Sequence, residues 1–367
     1  MKVLLIVTRA DTVAGAQVYV RELAIALQSD GHDVLVMTGQ AGPYNQDLAE
    51  HSIPFQACDA FKRSISLLRD RQTYHYIVEL LQTFQPDIVS ASSSKAGVLA
   101  RLACRTQKIP CVFTAHGWAF ADGVSEPSRI LYRLIEKFMA PLATRIICVS
   151  ERDRQLGLKA GISAQKLVTV HNGMTDVAAN LRSQPALDPP RLVMVARFDK
   201  QKDHQTLLAA VRKVSNLQVD LVGDGPNLPA MRSWCAEQGL QDRVKFYGFR
   251  RDIPERLANA QLFALISNWE GFPLAIVEAM RAGLPVLASR VGGVEEAVFE
   301  EETGYLIEPH DMSTLALRLQ QLVDDPSLRQ RLGDNARQRY EQEFTFQQMY
   351  RQTLGVWQAA RQESSTS

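Results

Sequence analysis

The chain has 367 residues, too many for one ordinary core and a comfortable length for two domains. With 46% apolar residues, 22% charged residues and a net charge of +1, it has the composition of a soluble globular protein and no nucleic-acid partner is expected. No apolar run approaches the ~20 residues that span a bilayer, and five scattered cysteines without C-x-x-C spacing indicate reduced core thiols of a cytoplasmic protein, with neither disulfides nor zinc.

The opening Met1-Lys-Val-Leu-Leu-Ile-Val is too short before Arg9 and Asp11 for a signal peptide and reads as a first strand, Val3 to Val7. Continuous apolar strands then follow at Val34 to Thr38, Ile88 to Ala91, Cys111 to Thr114, Ile146 to Val149 and Val168 to Val170. Amphipathic helices are predicted between them at Ala16 to Gln28, Gln72 to Phe84, Ala96 to Thr106 and Arg129 to Ala140. Alternating strand and helix with unbroken apolar strands implies an α/β fold built on a doubly wound parallel sheet. From Ala60 to Arg145, twelve Lys and Arg face six acids. Such an excess fits either solvated helix faces or an anionic membrane surface or acceptor.

A polar, proline-rich break, Asn180-Leu-Arg-Ser-Gln-Pro-Ala-Leu-Asp-Pro-Pro190, separates this half from a second of the same pattern. The expected organisation is a first domain over residues 1–180, a linker over 181–190, a second domain over 191–342 and a terminal helix over 343–361. Strands of the second half are predicted at Leu192 to Ala196, Gln218 to Val222, Val244 to Tyr247, Leu262 to Ile266, Pro285 to Ala288 and Gly304 to Ile307. Helices are predicted at His204 to Val214, Leu228 to Gln238, Ile253 to Asn259, Leu274 to Ala282 and Met312 to Val323. The last helix, Phe346 to Ala360, carries Tyr350 and Trp357 on one face and is expected to pack on the first domain. The polar tail from Arg361 to Ser367 is expected to be disordered. Two such sheets imply a cleft, with ligands bound beyond the carboxyl ends of the strands.

The candidate functional residues lie after strand ends. Arg9-Ala-Asp-Thr-Val-Ala-Gly-Ala-Gln17 is a small-residue loop opening a helix, where Gly15 and Ala16 leave room for a phosphate. Ser92-Ser-Ser-Lys95-Ala-Gly97 starts another helix and makes an anion site of Ser94 and Lys95. His116, in Thr114-Ala-His-Gly-Trp118, projects beyond a strand toward a reacting centre. In the second half, Arg197 and Lys202 straddle a loop and suit a diphosphate, which they would stabilise as a leaving group. Gly223-Asp-Gly-Pro226 brings backbone close to the ligand floor, and Phe249 or Arg250 faces a nucleobase. Glu270-Gly-Phe-Pro-Leu-Ala-Ile-Val-Glu278 places two carboxylates across a turn and a helix start. Each carboxylate can accept paired hydroxyls, and the free N–H groups of Leu274 and Ala275 point at an anion. Taken singly, each motif also has an ordinary structural reading, as a solvated loop, a surface carboxylate or a plain strand-to-helix turn.

In order and spacing, the set resembles the family 4 retaining glycosyltransferases of GT-B fold. The resemblance rests on the small-residue first loop, the Leu-Ala-x-x-Leu helix through Ser29-Asp-Gly-His-Asp-Val34, Val170-His-Asn-Gly173, Arg197 with Lys202, Gly223 to Gly225, and Glu270 to Glu278. It implies two Rossmann-like domains and transfer of a sugar from a nucleotide diphosphate donor, with UDP the expected nucleotide and no obligatory metal or other cofactor. It implies that Arg197 and Lys202 hold the diphosphate, that Glu278 binds the ribose, and that Glu270 and His116 contact the donor sugar. Gly15, Ala16, Gly223, Phe249, Arg250, Phe272, Pro273, Leu274 and Ala275 then complete the donor site. Ala14-Gly-Ala16 departs from the paired glycines of many members. The segments Ser93 to Gly97 and His116 to Phe120 are similar to those of members acting on polyprenyl-diphosphate-linked sugars. Such a resemblance implies a lipid-linked acceptor near Ser94 and Lys95, and a peripheral location at the inner face of the plasma membrane. A sugar-nucleotide 2-epimerase shares the architecture, and a non-catalytic sugar-nucleotide-binding protein is the reading from another class. A nicotinamide dehydrogenase is disfavoured by the missing G-x-G-x-x-G.

Overall fold

The computed structural model describes residues 1–365, which form two compact units. The first comprises Met1–His171 together with the chain from Met349 onward, and the second comprises Asn172–Gln348.

The first unit is a seven-stranded sheet of β1 (Lys2–Val7), β2 (Asp33–Thr38), β3 (Phe55–Ala57), β4 (Ile88–Ala91), β5 (Cys111–Ala115), β6 (Arg145–Cys148) and β7 (Leu167–Thr169). Their order is β3-β2-β1-β4-β5-β6-β7 and every pair is parallel. The order reverses at β1, the mark of a doubly wound sheet. Strands covered on both faces must be apolar throughout, and Val3 to Val7 are each at most 1% exposed. Helices Leu67–Phe84 and Ser94–Gln107 bring Ile77, Leu81, Leu99 and Ala103 onto Leu4, Ile6 and Val89. All five cysteines are buried thiols.

The second unit repeats the plan with β8 (Arg191–Val195), β9 (Gln218–Val222), β10 (Val244–Gly248), β11 (Leu262–Leu265), β12 (Val286–Ser289) and β13 (Gly304–Ile307). Their order is β10-β9-β8-β11-β12-β13, again all parallel, with the reversal at β8. Both units therefore have the doubly wound α/β architecture expected from the strand pattern.

The structure departs from the sequence reading in several elements. It adds β3, which lies fully exposed at the sheet edge, and the helices Pro43–Glu50, Glu151–Lys159, Val294–Ala297 and Pro326–Glu343. The longest of these helices is polar, with Arg329, Leu332, Gly333, Ala336 and Tyr340 its buried residues. The segment 181–190, expected to be a linker, is part of the second unit. Buried Arg329 donates from Nε to the Pro185 carbonyl at 2.6 Å and from Nη2 to the Leu187 carbonyl at 3.0 Å and Asp188 Oδ1 at 2.6 Å. A buried guanidinium needs all its donors satisfied, so it gathers that chain around itself. The chain passes between units at His171/Asn172 and again at Gln348/Met349.

The terminal helix runs from Phe346 to Ser365, so the expectation of disorder fails for Arg361 to Ser365; Thr366 and Ser367 lie outside the described residues. Polar anchors replace the missing apolar signal. Tyr350 donates to Asp30 Oδ2 at 2.7 Å, Arg361 pairs with Asp87 at 3.3 Å, and Glu363 pairs with Arg145.

Candidate active site

In the second unit the chemistry gathers where β8 and β11 end. After β8 the chain makes a loop from Ala196 to Asp203 that lies against the extension of β11. The Asp203 N–H donates to the Ile266 carbonyl at 2.9 Å, and the Asn268 N–H donates to the Gln201 carbonyl at 2.8 Å. Asp203 then caps helix His204–Val211 through the Thr206 N–H, at 3.0 Å. The cap satisfies the helix start, so the cations before it serve no capping role.

Two glycines after β9 let this loop pass. A Cβ on Gly223 would fall 1.9 Å from the Ala196 carbonyl oxygen, and one on Gly225 would fall 2.4 Å from that of Phe198. Both residues also have positive φ, 141° and 154°. Gly223-Asp-Gly-Pro226 is thus a steric requirement of the loop that carries Arg197 and Lys202.

Lys202 Nζ forms an ion pair with Glu270 Oε1, and the two side chains are only 11% and 6% exposed. Gln201 binds Glu270 Oε2 at 3.2 Å and the Trp269 carbonyl at 3.0 Å from its Nε2, while its Oε1 accepts from Arg197 Nη2 at 3.1 Å. Gln201 therefore ties Arg197, Lys202 and Glu270 into one cluster. Arg197 also reaches Asp199 at 3.1 Å, and its side chain is 57% exposed.

Beyond Glu270 the chain turns into helix Leu274–Arg281, whose start has no side-chain cap. The turn is held from two sides. Asn172 donates from Nδ2 to the Phe272 carbonyl at 3.0 Å, and the Gly293 N–H donates to the Gly271 carbonyl at 2.7 Å. Gly292, at φ 59°, packs so closely that a Cβ there would sit 1.9 Å from the Glu270 carbonyl oxygen. Glu278, one turn into the helix, has its carboxyl pKa raised by desolvation, offset in part by Arg281. A carboxylate so placed gains from hydroxyl donors that restore its lost hydration. At the end of β10, Phe249 is 62% exposed and Arg250 is engaged in a fork with Asp252 at 2.7 and 2.9 Å. This pairing holds the Asp252 carboxyl well below its usual range.

In the first unit, helix Gly15–Ser29 begins at Gly15 and Ala16 with no side-chain cap. His116, just after β5, sets its ring edge-on to Tyr19 of that helix, 4.8 Å between centroids. Burial lowers its pKa to about 4, so it is neutral at physiological pH. Its shielded Nε2 has no partner among the described residues. Ser94 and Lys95 line a cavity of ≈ 540 Å³ with Thr8, Arg9, Arg63 and Asp70. Lys95 is ion-paired to Asp70 and donates to the Ser64 carbonyl at 2.6 Å, so the expected anion ligand already has an anionic partner.

The sequence reading missed Gln201, the clamp role of Asn172, the Gly292-Gly293 doublet and Asp70. The doublet follows a strand and precedes a helix, the same signal that singled out Gly223 and Gly225. Gln201 and Asp70 left no signal, because their partners are distant in sequence and meet them only in the folded chain.

Two doubly wound parallel-sheet units, the second with cations and carboxylates beyond its strand ends, match the GT-B fold of solved glycosyltransferases. Residues 13–176 match the family model described as Glycosyltransferase Family 4, and residues 179–339 match that of Glycosyl transferases group 1. The chain belongs to this family 4 group of glycosyltransferases, and it is an enzyme of that class. It is 30% identical over 325 residues, 82% of this chain and 83% of the relative, to a UDP-Gal:alpha-D-GlcNAc-diphosphoundecaprenol alpha-1,3-galactosyltransferase of Escherichia coli. It is 28% identical over 72% of its length, and 74% of the relative, to the glycosyltransferase EpsD of Bacillus subtilis, whose function is itself only inferred. Among solved structures, Anabaena HepE in complex with UDP-glucose has the same fold, with a TM-score of 0.85 at 23% identity over 98% of this chain and 100% of that one.

Proposed function

We propose that the protein is a retaining glycosyltransferase that moves a hexose or N-acetylhexosamine from a UDP-sugar to a polyprenyl-diphosphate-linked saccharide. It would act in the cytoplasm, at the inner face of the plasma membrane, in cell-surface polysaccharide assembly. The observation that carries the reading is the cluster of Arg197, Lys202 and Glu270 beside the uncapped start of helix Leu274–Arg281. Support for the donor comes from the UDP-sugar in the name of the E. coli relative and from the UDP-glucose bound to HepE. Support for the acceptor comes from the diphosphoundecaprenol in the same relative's name.

In this reading Arg197 and Lys202 bind the diphosphate, and the Leu274 and Ala275 N–H groups add the positive end of the helix. Glu278 accepts the ribose hydroxyls, Glu270 and neutral His116 bind hydroxyls of the sugar, and Phe249 covers the base. The acceptor oxygen attacks the anomeric carbon from the face that the phosphate leaves. The carbon–oxygen bond to UDP breaks, and a phosphate oxygen of the leaving UDP takes the acceptor's proton. Charge stabilisation falls to Arg197, Lys202 and the helix start, so no divalent metal is obligatory.

Calorimetry of UDP, GDP and ADP with the wild type and Lys202→Ala, without added metal, tests the donor site. Micromolar UDP binding that the variant loses is expected, and absence of any nucleotide binding would sink the reading. An anomeric NMR signal of the product matching that of the donor checks retention.

A further inference from the structure

The helix Glu126–Met139 is the most unusual surface of the first unit. At about 100° per residue, Ile130, Leu131, Leu134 and Phe138 share one arc of about 100°. Buried packing uses a different arc: Tyr132, Ile135 and Glu136 line the cavity described above, and Glu136 pairs with fully buried Arg101 at 2.8 Å. The four apolar residues are 47 to 73% exposed. A second exposed group, Ile65, Leu67 and Leu68, at 69 to 88%, borders the same cavity through Ile65. Core packing thus accounts for one side of this helix and leaves a large apolar stripe uncovered, which is rare on a monomer surface.

The charges around the stripe identify what covers it. Lys62, Arg63, Arg69, Arg71, Arg129, Arg133 and Lys137 flank the apolar residues. Every acid in the two segments already has a cation: Asp70 pairs with Lys95, Glu126 with Arg129 at 2.5 Å, and Glu136 with Arg101. Among the described residues, Lys62, Arg69, Arg71 and Lys137 enter no ion pair. A second copy set on this face would oppose cation to cation, because a two-fold interface meets itself. An anionic lipid surface instead satisfies both features, taking the side chains of Ile130, Leu134 and Phe138 among its acyl chains and the cations among its headgroups.

We infer that helix Glu126–Met139, with the segment Lys62 to Arg71, is a bilayer-docking face of the first unit, specific for anionic membranes. It deepens the membrane location proposed above and rests on that part of the reading. It also gives the cavity behind the helix a use: a lipid-linked acceptor held at the bilayer would meet Arg63 there, beside Arg9 and Lys95, which are paired with Asp11 and Asp70.

The test is sedimentation with vesicles of equimolar phosphatidylglycerol and phosphatidylcholine, and with vesicles of phosphatidylcholine alone. Wild type is expected to bind the anionic vesicles, more weakly at high salt and on the neutral ones. The Leu134→Gln/Phe138→Gln variant should lose at least about tenfold in partitioning. Leu317→Gln, at an exposed apolar residue of the second unit, should lose none. Failure of the wild type to bind, unchanged binding by the double variant, or a wild-type dimer that the double variant dissolves in sedimentation velocity would each overturn the inference. UDP calorimetry on the double variant separates the two readings: intact UDP binding with unchanged vesicle binding defeats the docking face alone, whereas lost partitioning without nucleotide binding in any form defeats the donor reading alone.

Discussion

Lys202 and Glu270 form a partly buried ion pair, and the consequences of breaking it differ from those of losing an exposed ligand. Lys202→Ala strands a carboxylate that is 6% exposed, retaining only the Gln201 amide as partner. The expected cost is roughly 3 kcal/mol, read as a lower urea midpoint together with lost UDP affinity. Arg197→Ala should leave the midpoint unchanged and weaken UDP binding about tenfold, equal to about 1.4 kcal/mol, since its side chain is already half in solvent. The pair Lys202→Met/Glu270→Gln removes both charges and should recover the midpoint while transfer stays at least about a hundredfold down. Recovery of transfer would show that the pair is structural. His204 supplies a pH signature. Its ring stacks on Phe198 at 3.9 Å and burial lowers its pKa from 6.5 to about 4. The unfolded chain therefore binds the extra proton between those values, so stability falls as pH falls through that window, by about 2 kcal/mol from pH 7 to 4.5. His204→Phe should flatten this dependence in urea titrations. The charged residues themselves were legible from their positions after strands. Their pairings were not, because Gln201 acts only where two loops dock and Asp70 only where helices Leu67–Phe84 and Ser94–Gln107 meet.

At the scale of elements, glycines decide where the loops lie. Gly292 belongs to the turn after β12, yet its missing side chain is what admits the Glu270 carbonyl. Gly292→Ala should push the Glu270 backbone away and strain a left-handed turn. The expected result is kcat reduced at least about tenfold with a smaller loss of UDP affinity, because Gln201 and Lys202 are held by Glu270 and shift with it, whereas Glu278 lies a turn further into the helix. An unchanged kcat would mean that Glu270 tolerates displacement. The strands of both sheets were readable as apolar runs, since burial on both faces leaves no alternation to blur them. β3 was not, because all three of its residues are exposed. Helix Pro326–Glu343 was missed for a related reason. Its buried stripe is too thin to rise above a polar sequence, although Asp325 and Pro326 form a helix start of ordinary kind.

For the whole molecule, the informative feature is that the chain enters the first unit twice. Trp357 and Tyr350, seven residues apart after the second sheet is complete, were the only sequence sign of this return, and Trp357 is fully buried. The return was legible because aromatic residues on one face need a core. Its true length was not, because the last turns are held by Arg361 to Asp87 and Arg145 to Glu363. Trp357→Ala should cost about 3–5 kcal/mol, the usual range for emptying a buried tryptophan site. That loss has a predicted address. Tyr19, on helix Gly15–Ser29, is buried beside Thr353 of the terminal helix, which is itself buried, so the damage should spread through the first unit. Amide exchange measured by mass spectrometry should speed up in β1, β4, β5 and β6. Protection in β8 through β13 should hold, because those strands belong to the second unit, Asn172–Gln348. Equal loss of protection in both sheets would refute the assignment of the terminal helix to the first unit and would make it a support of the second.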